Sequence, residues 1–198
     1  MTERISGGQT EQEVFARFFP DAQINNCAIA DIPKAALAYF ECKSHQFVNR
    51  NEYVPGNFTR LMSVVHSDGN KTYLAVQTKT YTSNKDTEEL TYLVDTDQEG
   101  LGIGYGEIRK RIYGKRKFFK DKPFVGDTFT KEENRSTGLG GRRLLIMNAI
   151  CQILYQLPLY SDTLMSKEAR SLWENLAALG KAKMQKEGKA DRFVLTSP

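Results

Sequence analysis

A chain of 198 residues, 40% of them hydrophobic and 26% charged, has the length and apolar content for one core, or one core with an extension. No apolar run reaches the roughly eighteen residues of a membrane span, and residues 1–13 lack the apolar stretch of a secretory signal, so a cytoplasmic protein is expected. Cys27, Cys42 and Cys151 are odd in number without C-x-x-C spacing, and His45 and His66 are the only histidines. Neither a disulfide framework, a metal site nor a His-dependent triad is therefore expected, and the cysteines read as reduced and mostly buried.

Residues 11–19 place Val14, Phe15, Phe18 and Phe19 at helical spacing before Pro20, which predicts a short helix in an N-terminal extension over residues 1–25. A main domain over residues 26–198 then opens with a strand at 26–32 and a helix from Pro33 through Phe40 or beyond. Residues 59–66 and 71–81 are strand-like, and the intervening Ser67-Asp68-Gly69-Asn70 carries the Asp-Gly hairpin signal. With Leu90, Tyr92 and Val94 alternating over 89–95, the centre of the chain reads as an antiparallel meander. The Gly100–Gly106 run reads as a flexible connection, 107–119 fits helix or hairpin, and 122–130 reads as another strand. A helix over 137–157 has one broad apolar face and stops at Pro158. A short strand over 159–164, a helix over 167–184 capped by Ser166 with Trp173 inward, and a strand over 192–196 complete the chain.

Two local patterns carry chemistry. Between Arg109 and Lys122 the chain holds eight cations and one anion, interleaved with aromatics. Arg109, Lys110, Arg111, Lys115, Arg116 and Lys117 thus form either a solvated basic face or a surface for nucleic acid, an acidic protein or cofactor phosphates. The second pattern, Arg135-Ser136-Thr137-Gly138-Leu139-Gly140-Gly141-Arg142, lies between a strand and a strongly helical segment. Its glycines let several N–H groups converge on an anion, and the helix adds its positive N-terminal dipole. No Gly-Lys-Ser/Thr follows, so the Walker pattern is absent, and a Rossmann crossover conflicts with the meander.

Arg135, Gly138 and Gly140 match the R/Q-x-x-G-x-G/A loop of the GNAT acetyltransferase superfamily, which the chain resembles over about residues 59–196 and most strongly from about 124 onward. The tail that includes Ser166 and Trp173 resembles small acetyltransferase-like proteins encoded by phages. This resemblance implies an α/β fold of the α+β type, a largely antiparallel sheet with helices on both faces. It also implies acetyl-CoA, or another acyl-CoA, bound by residues 135–142, and an amine acceptor that attacks the thioester directly. A second glycine run, at Gly100, Gly102 and Gly104, also looks like such a loop, but Glu99 would stand where the family has Arg or Gln.

In relatives the acid that protonates the departing thiolate is often a tyrosine, at the position that here holds Trp173; an indole N–H cannot supply that proton. Tyr160 and Ser161 are the nearest substitutes, Asp162 is a candidate base or ammonium anchor, and Glu88 and Glu89 are generic bases. Cys151 reads as a core thiol. A binding or inhibitory protein on the same scaffold, and an acyltransferase acting on nucleic acid, are the competing readings.

Overall fold

The computed structural model describes residues 8–45, 58–81, 86–113, 122–187 and 190–196. Helix α1 (Glu11–Ala16) is opened by a reciprocal cap, in which the Glu13 N–H donates to the Thr10 hydroxyl at 3.2 Å and the Thr10 N–H donates to the Glu13 carboxylate at 2.6 Å. Its Val14 and Phe15 enter the main core. Gln12 binds it to β1 (Gln23–Asn26) by accepting from the Ile24 N–H and donating to the Ala22 carbonyl. The boundary expected at residue 25 therefore falls inside a paired strand. The strand expected over 26–32 lies earlier, because Asp31 accepts from the Ala28 N–H and closes a 3-10 turn at Ile29–Asp31.

Helix α2 (Lys34–His45) follows Pro33, as the fixed proline angle allows. The meander then runs through β2 (Arg60–Val65), β3 (Lys71–Tyr81), β4 (Asp86–Thr96), β5 (Gly102–Tyr113) and β6 (Pro123–Thr130). With β1 these form a six-stranded sheet in chain order, every pair antiparallel. The segment 100–106, expected as a flexible connection, is instead a tight turn leading into β5. Asp97 accepts from the Glu99 and Leu101 N–H groups, Gly100 takes φ +83°, and residues from Gly102 onward pair with β4.

Helix α3 (Leu139–Tyr155) leaves β6 and returns to residues 159–161, which run parallel to β6. The Val125 N–H donates to the Tyr160 carbonyl and the Tyr160 N–H to the Pro123 carbonyl, each at 3.0 Å. On the other side, 159–161 pairs antiparallel with β8 (Ala190–Leu195), whose hairpin partner is β7 (Ala182–Glu187). The expected strand over 159–164 reduces to this bridge. Helix α4 (Lys167–Ala178) is capped by the Ser166 hydroxyl and ends before Gly180 at φ +70°, so Met184, expected at the end of that helix, lies in β7.

The fold is thus mixed α+β with a largely antiparallel sheet. One face packs α1, α3 and α4 over Met62, Val64, Leu74, Leu93, Ile108 and Phe193. The opposite face packs α2 over Tyr73, Ala75, Leu90 and Tyr92. No described helix is long and apolar enough to cross a membrane.

Candidate functional site

The only parallel contact among the described strands is the one between β6 and 159–161, and it is short. Phe124 and Tyr160 bridge, and beyond Val125 the described residues show no further main-chain bond between the two segments. At residue 126 β6 also bulges, since Ile108 faces Val125 while Glu107 faces Asp127, leaving Gly126 unpaired in register. A side chain at 126 would strike Arg109 and Glu107, the nearest atom at 2.6 Å, so glycine is required by that pair. The two parallel segments therefore part just past Tyr160, and the helix that joins them begins beyond the same end of β6.

That beginning is glycine-built. Gly138 takes φ +84° as the residue before α3, no side chain caps the helix, and a Cβ on Gly138 would meet nothing within 4 Å. Thr137 donates to the Asn134 carbonyl at 2.7 Å and Ser136 takes φ +63°, which fixes the approach. Gly138 and Leu139 line a surface cleft of about 630 Å³ together with Lys131, Glu133, Thr137 and Arg142 and with Asp68, Asp97 and Leu101. From the second glycine run only Leu101 and Ile103 reach this cleft; Gly100, Gly102 and Gly104 do not line it. Only the 135–142 run leads into a helix.

Side by side, the remaining loop residues divide. Gly140 and Gly141 point their missing Cβ positions toward Leu172 of α4, at 3.5 and 3.8 Å, so they permit helix packing rather than line the cleft. Arg142 donates to Asp68 at 2.7 Å. Burial acts to raise the Asp68 carboxyl, but hydrogen bonds from Arg142 and the Asn70 N–H outweigh it and hold that carboxyl below its usual range. Arg135 lies over the Phe129 ring and donates to the Thr130 carbonyl.

Arg143, the residue after the loop, is fully buried beneath it. It donates to Asp95 at 2.7 Å, to the Phe129 carbonyl at 2.8 Å and to the Thr128 and Thr130 hydroxyls at 3.1 Å. Asp95 also accepts from Thr72, whose hydroxyl meets His66 at 3.0 Å. Burial, with Arg142 nearby, pushes the His66 imidazole below its ordinary value. Gly104 and Gly106 exist for this arginine: a Cβ at 104 would lie 1.9 Å from its guanidinium. Those glycines therefore serve helix-to-sheet approach rather than phosphate contact. The network ties the first turn of α3 to β4 and to the end of β6.

Of the candidate acids and bases, Ser161 is fully buried; its hydroxyl donates to the Asp162 carbonyl and accepts from the Phe193 N–H, so it serves the fold. Asp162 accepts from Thr163 in a turn before α4. Tyr160 points to the opposite face from Ser161, with Lys122 and Arg192 stacked over its ring at 5.0 and 5.3 Å. Trp173 is buried and stacked on Phe193. Glu88 is held by Arg111 at 2.8 Å, and Glu89 lines a different cleft beside Leu154, at the far end of α3. Seventeen residues of helix separate that end from Gly138, a span of about 25 Å. Cys151 is fully buried, which raises its thiol, whereas Cys42 is exposed and Cys27 intermediate, so burial holds for one cysteine of the three.

The basic run is not a single surface. Because β5 is a strand, successive cations alternate: Arg109 pairs with Glu107 and Arg111 with Glu88 on the α2 face, while Lys110 lies 4.3 Å over the Tyr155 ring on the α3 face. Lys115, Arg116 and Lys117 lie outside the described residues.

Sequence reading missed a cluster on the α2 face beside the parting strands. Tyr39 of α2 lies 4.6 Å from Tyr105 of β5, which stacks at 5.1 Å on Phe129 of β6. Lys43 sits over Tyr39 and Tyr105 and pairs with Asp127 at 3.2 Å. Alternating Tyr105, Glu107 and Arg109 would have signalled it, had 107–119 been read as strand. No protein-family model and no curated protein matches the chain.

Proposed function

We propose that the chain is an acyl-CoA-dependent N-acyltransferase of the GNAT type. The observation that carries the reading is the β6–α3–159–161 unit: in an otherwise antiparallel sheet, one parallel pair meets at Phe124 and Tyr160, parts past a bulge, and is joined by a helix with an uncapped, glycine-built N-terminus. An uncapped first turn offers N–H groups and a positive dipole to a pyrophosphate. The cleft at that turn fits the group in size and in its open Gly138; Lys131 is its supporting cation and Arg142 is shared with Asp68, while Asp97 and Glu133 also line it. When bound, acyl-CoA supplies the activated acyl carbon.

The chain's own residues then have three tasks. The Gly138 turn anchors the phosphates, the gap between β6 and 159–161 directs the thioester toward the α2 face, and that face presents the acceptor amine. Tyr160, on that face at the point where the strands part, is the hydroxyl placed to protonate a departing thiolate. Ser161 and Asp162 are left with structural roles by their hydrogen bonds. The test is chromatographic measurement of free CoA and acylated product from acetyl-CoA with a panel of primary amines. Tyr160→Phe is expected to slow transfer at least about a hundredfold while leaving acetyl-CoA affinity intact; unchanged transfer would remove Tyr160 from the role.

A further inference from the structure

Lys43 has the environment of a bound substrate amine rather than of a surface lysine. Its side chain is only 15% exposed, and its ammonium faces two aromatic rings, Tyr39 at 5.8 Å and Tyr105 at 5.6 Å. Its ammonium donates to the Asp127 carboxylate at 3.2 Å. Rings plus a carboxylate form the chemistry that recognises an alkylammonium. The position of this cage matters more than its composition. Asp127 is the first residue of β6 after the Gly126 bulge, on the stretch of strand that has parted from 159–161. An amine held there lies on the α2 face beside the gap assigned above to the thioester. The helix end that carries it is also fixed, because Lys79 donates to the Lys43 carbonyl at 3.1 Å.

We propose that Lys43 is the acceptor of a transfer in cis: its ε-amine occupies the acceptor subsite, and the chain acylates itself there. This rests on the acyltransferase reading. In the step, the Lys43 ammonium gives one proton to Asp127, whose side chain is 45% exposed and passes it to water. The neutral nitrogen attacks the thioester carbonyl carbon, a C–N bond forms and the C–S bond breaks. The second proton on nitrogen is lost to solvent as the amide forms, and the thiolate leaves as CoA after protonation. One acetyl-CoA and one lysine ammonium become one acetyl-lysine, one CoA thiol and one proton. Such a modification removes the charge that pairs with Asp127.

The full chain is incubated with acetyl-CoA, and each lysine is followed by peptide mass spectrometry across a range of protein concentrations. In parallel, a non-transferable thioether analogue of acetyl-CoA is titrated calorimetrically. The same analogue is then tested for protecting Lys43 against an isotopically labelled acetylating reagent. The expected result is near-complete acetylation of Lys43, first order and independent of protein concentration, with analogue binding that protects Lys43 selectively. Asp127→Asn should slow the modification about a hundredfold with unchanged analogue affinity. Analogue binding without preferential modification or protection of Lys43 overturns the proposal and leaves the acyl-CoA site standing. Absence of analogue binding overturns both.

Discussion

Replacing Arg143 with methionine tests whether the first turn of α3 is held from below. The guanidinium is fully buried and its partner Asp95 is 4% exposed. Methionine approximates the arginine stem but leaves Asp95 with the Thr72 hydroxyl as its side-chain donor, at 2.8 Å, and deprives the Phe129 carbonyl and two threonine hydroxyls of a donor. An uncompensated buried carboxylate costs about 3–5 kcal/mol, a large part of the roughly 5–15 kcal/mol that stabilises a domain. Asp95→Asn in the Arg143→Met background removes the stranded charge and keeps an acceptor for Thr72, so the double variant should be more stable than Arg143→Met alone by about 2 kcal/mol. Urea unfolding followed by the single tryptophan, Trp173, and by circular dichroism measures both. A loss below about 1 kcal/mol for Arg143→Met, or no recovery in the double variant, would refute the reasoning.

Burial pushes the Lys79 ammonium down to about 8, with Glu107 opposing and Arg109 reinforcing the shift. Below that pH both folded and unfolded chains hold the proton and the folded state carries the full burial penalty; from about 8 toward about 10.4 the unfolded chain binds more protons. Stability should therefore rise with pH across that window, by up to about 3 kcal/mol, and Lys79→Met should flatten the rise; denaturant midpoints at several pH values decide it. Arg111→Ser, which removes the buried guanidinium paired with Glu88, should cost more than about 1 kcal/mol, whereas Lys110→Ser should cost under about 1 kcal/mol; equal losses in thermal unfolding would restore the basic run as a uniform surface. Gly140→Ala, whose methyl meets Leu172 in ordinary contact, should gain about 0.5–1 kcal/mol and leave acetyl-CoA affinity unchanged, and a loss of affinity by titration would return Gly140 to the cleft.

Local rules carried much of the fold. The Asp68-Gly69 hairpin, the first helix's start at Glu11, the Ser166 helix start and the apolar face of α3 all depend on neighbours in sequence, and each lies within two residues of its expected place. What failed depends on partners far away. Gly104 and Gly106 read as flexible because the residue that needs their flatness, Arg143, lies some forty positions on. Arg109 to Arg111 read as a solvated patch because Glu88 and Glu107 come beside them only through strand register. Likewise the Gly138 turn was legible from its spacing, but the Lys43 cage joins α2, β5 and β6, and only its β5 side has a local signature, in the alternation of Tyr105, Glu107 and Arg109.

The most direct test of the central claim is calorimetric titration of acetyl-CoA into the native chain and into Gly138→Asp. Aspartate tolerates the left-handed backbone that Gly138 adopts better than most residues, and its Cβ has open space. The variant should therefore fold while placing a carboxylate where the pyrophosphate is proposed to sit. Saturable one-to-one binding by the native chain and at least about a hundredfold weaker binding by Gly138→Asp is the predicted result, a difference of about 2.7 kcal/mol. Equal affinity of a folded Gly138→Asp protein, or no binding by the native chain, would contradict it.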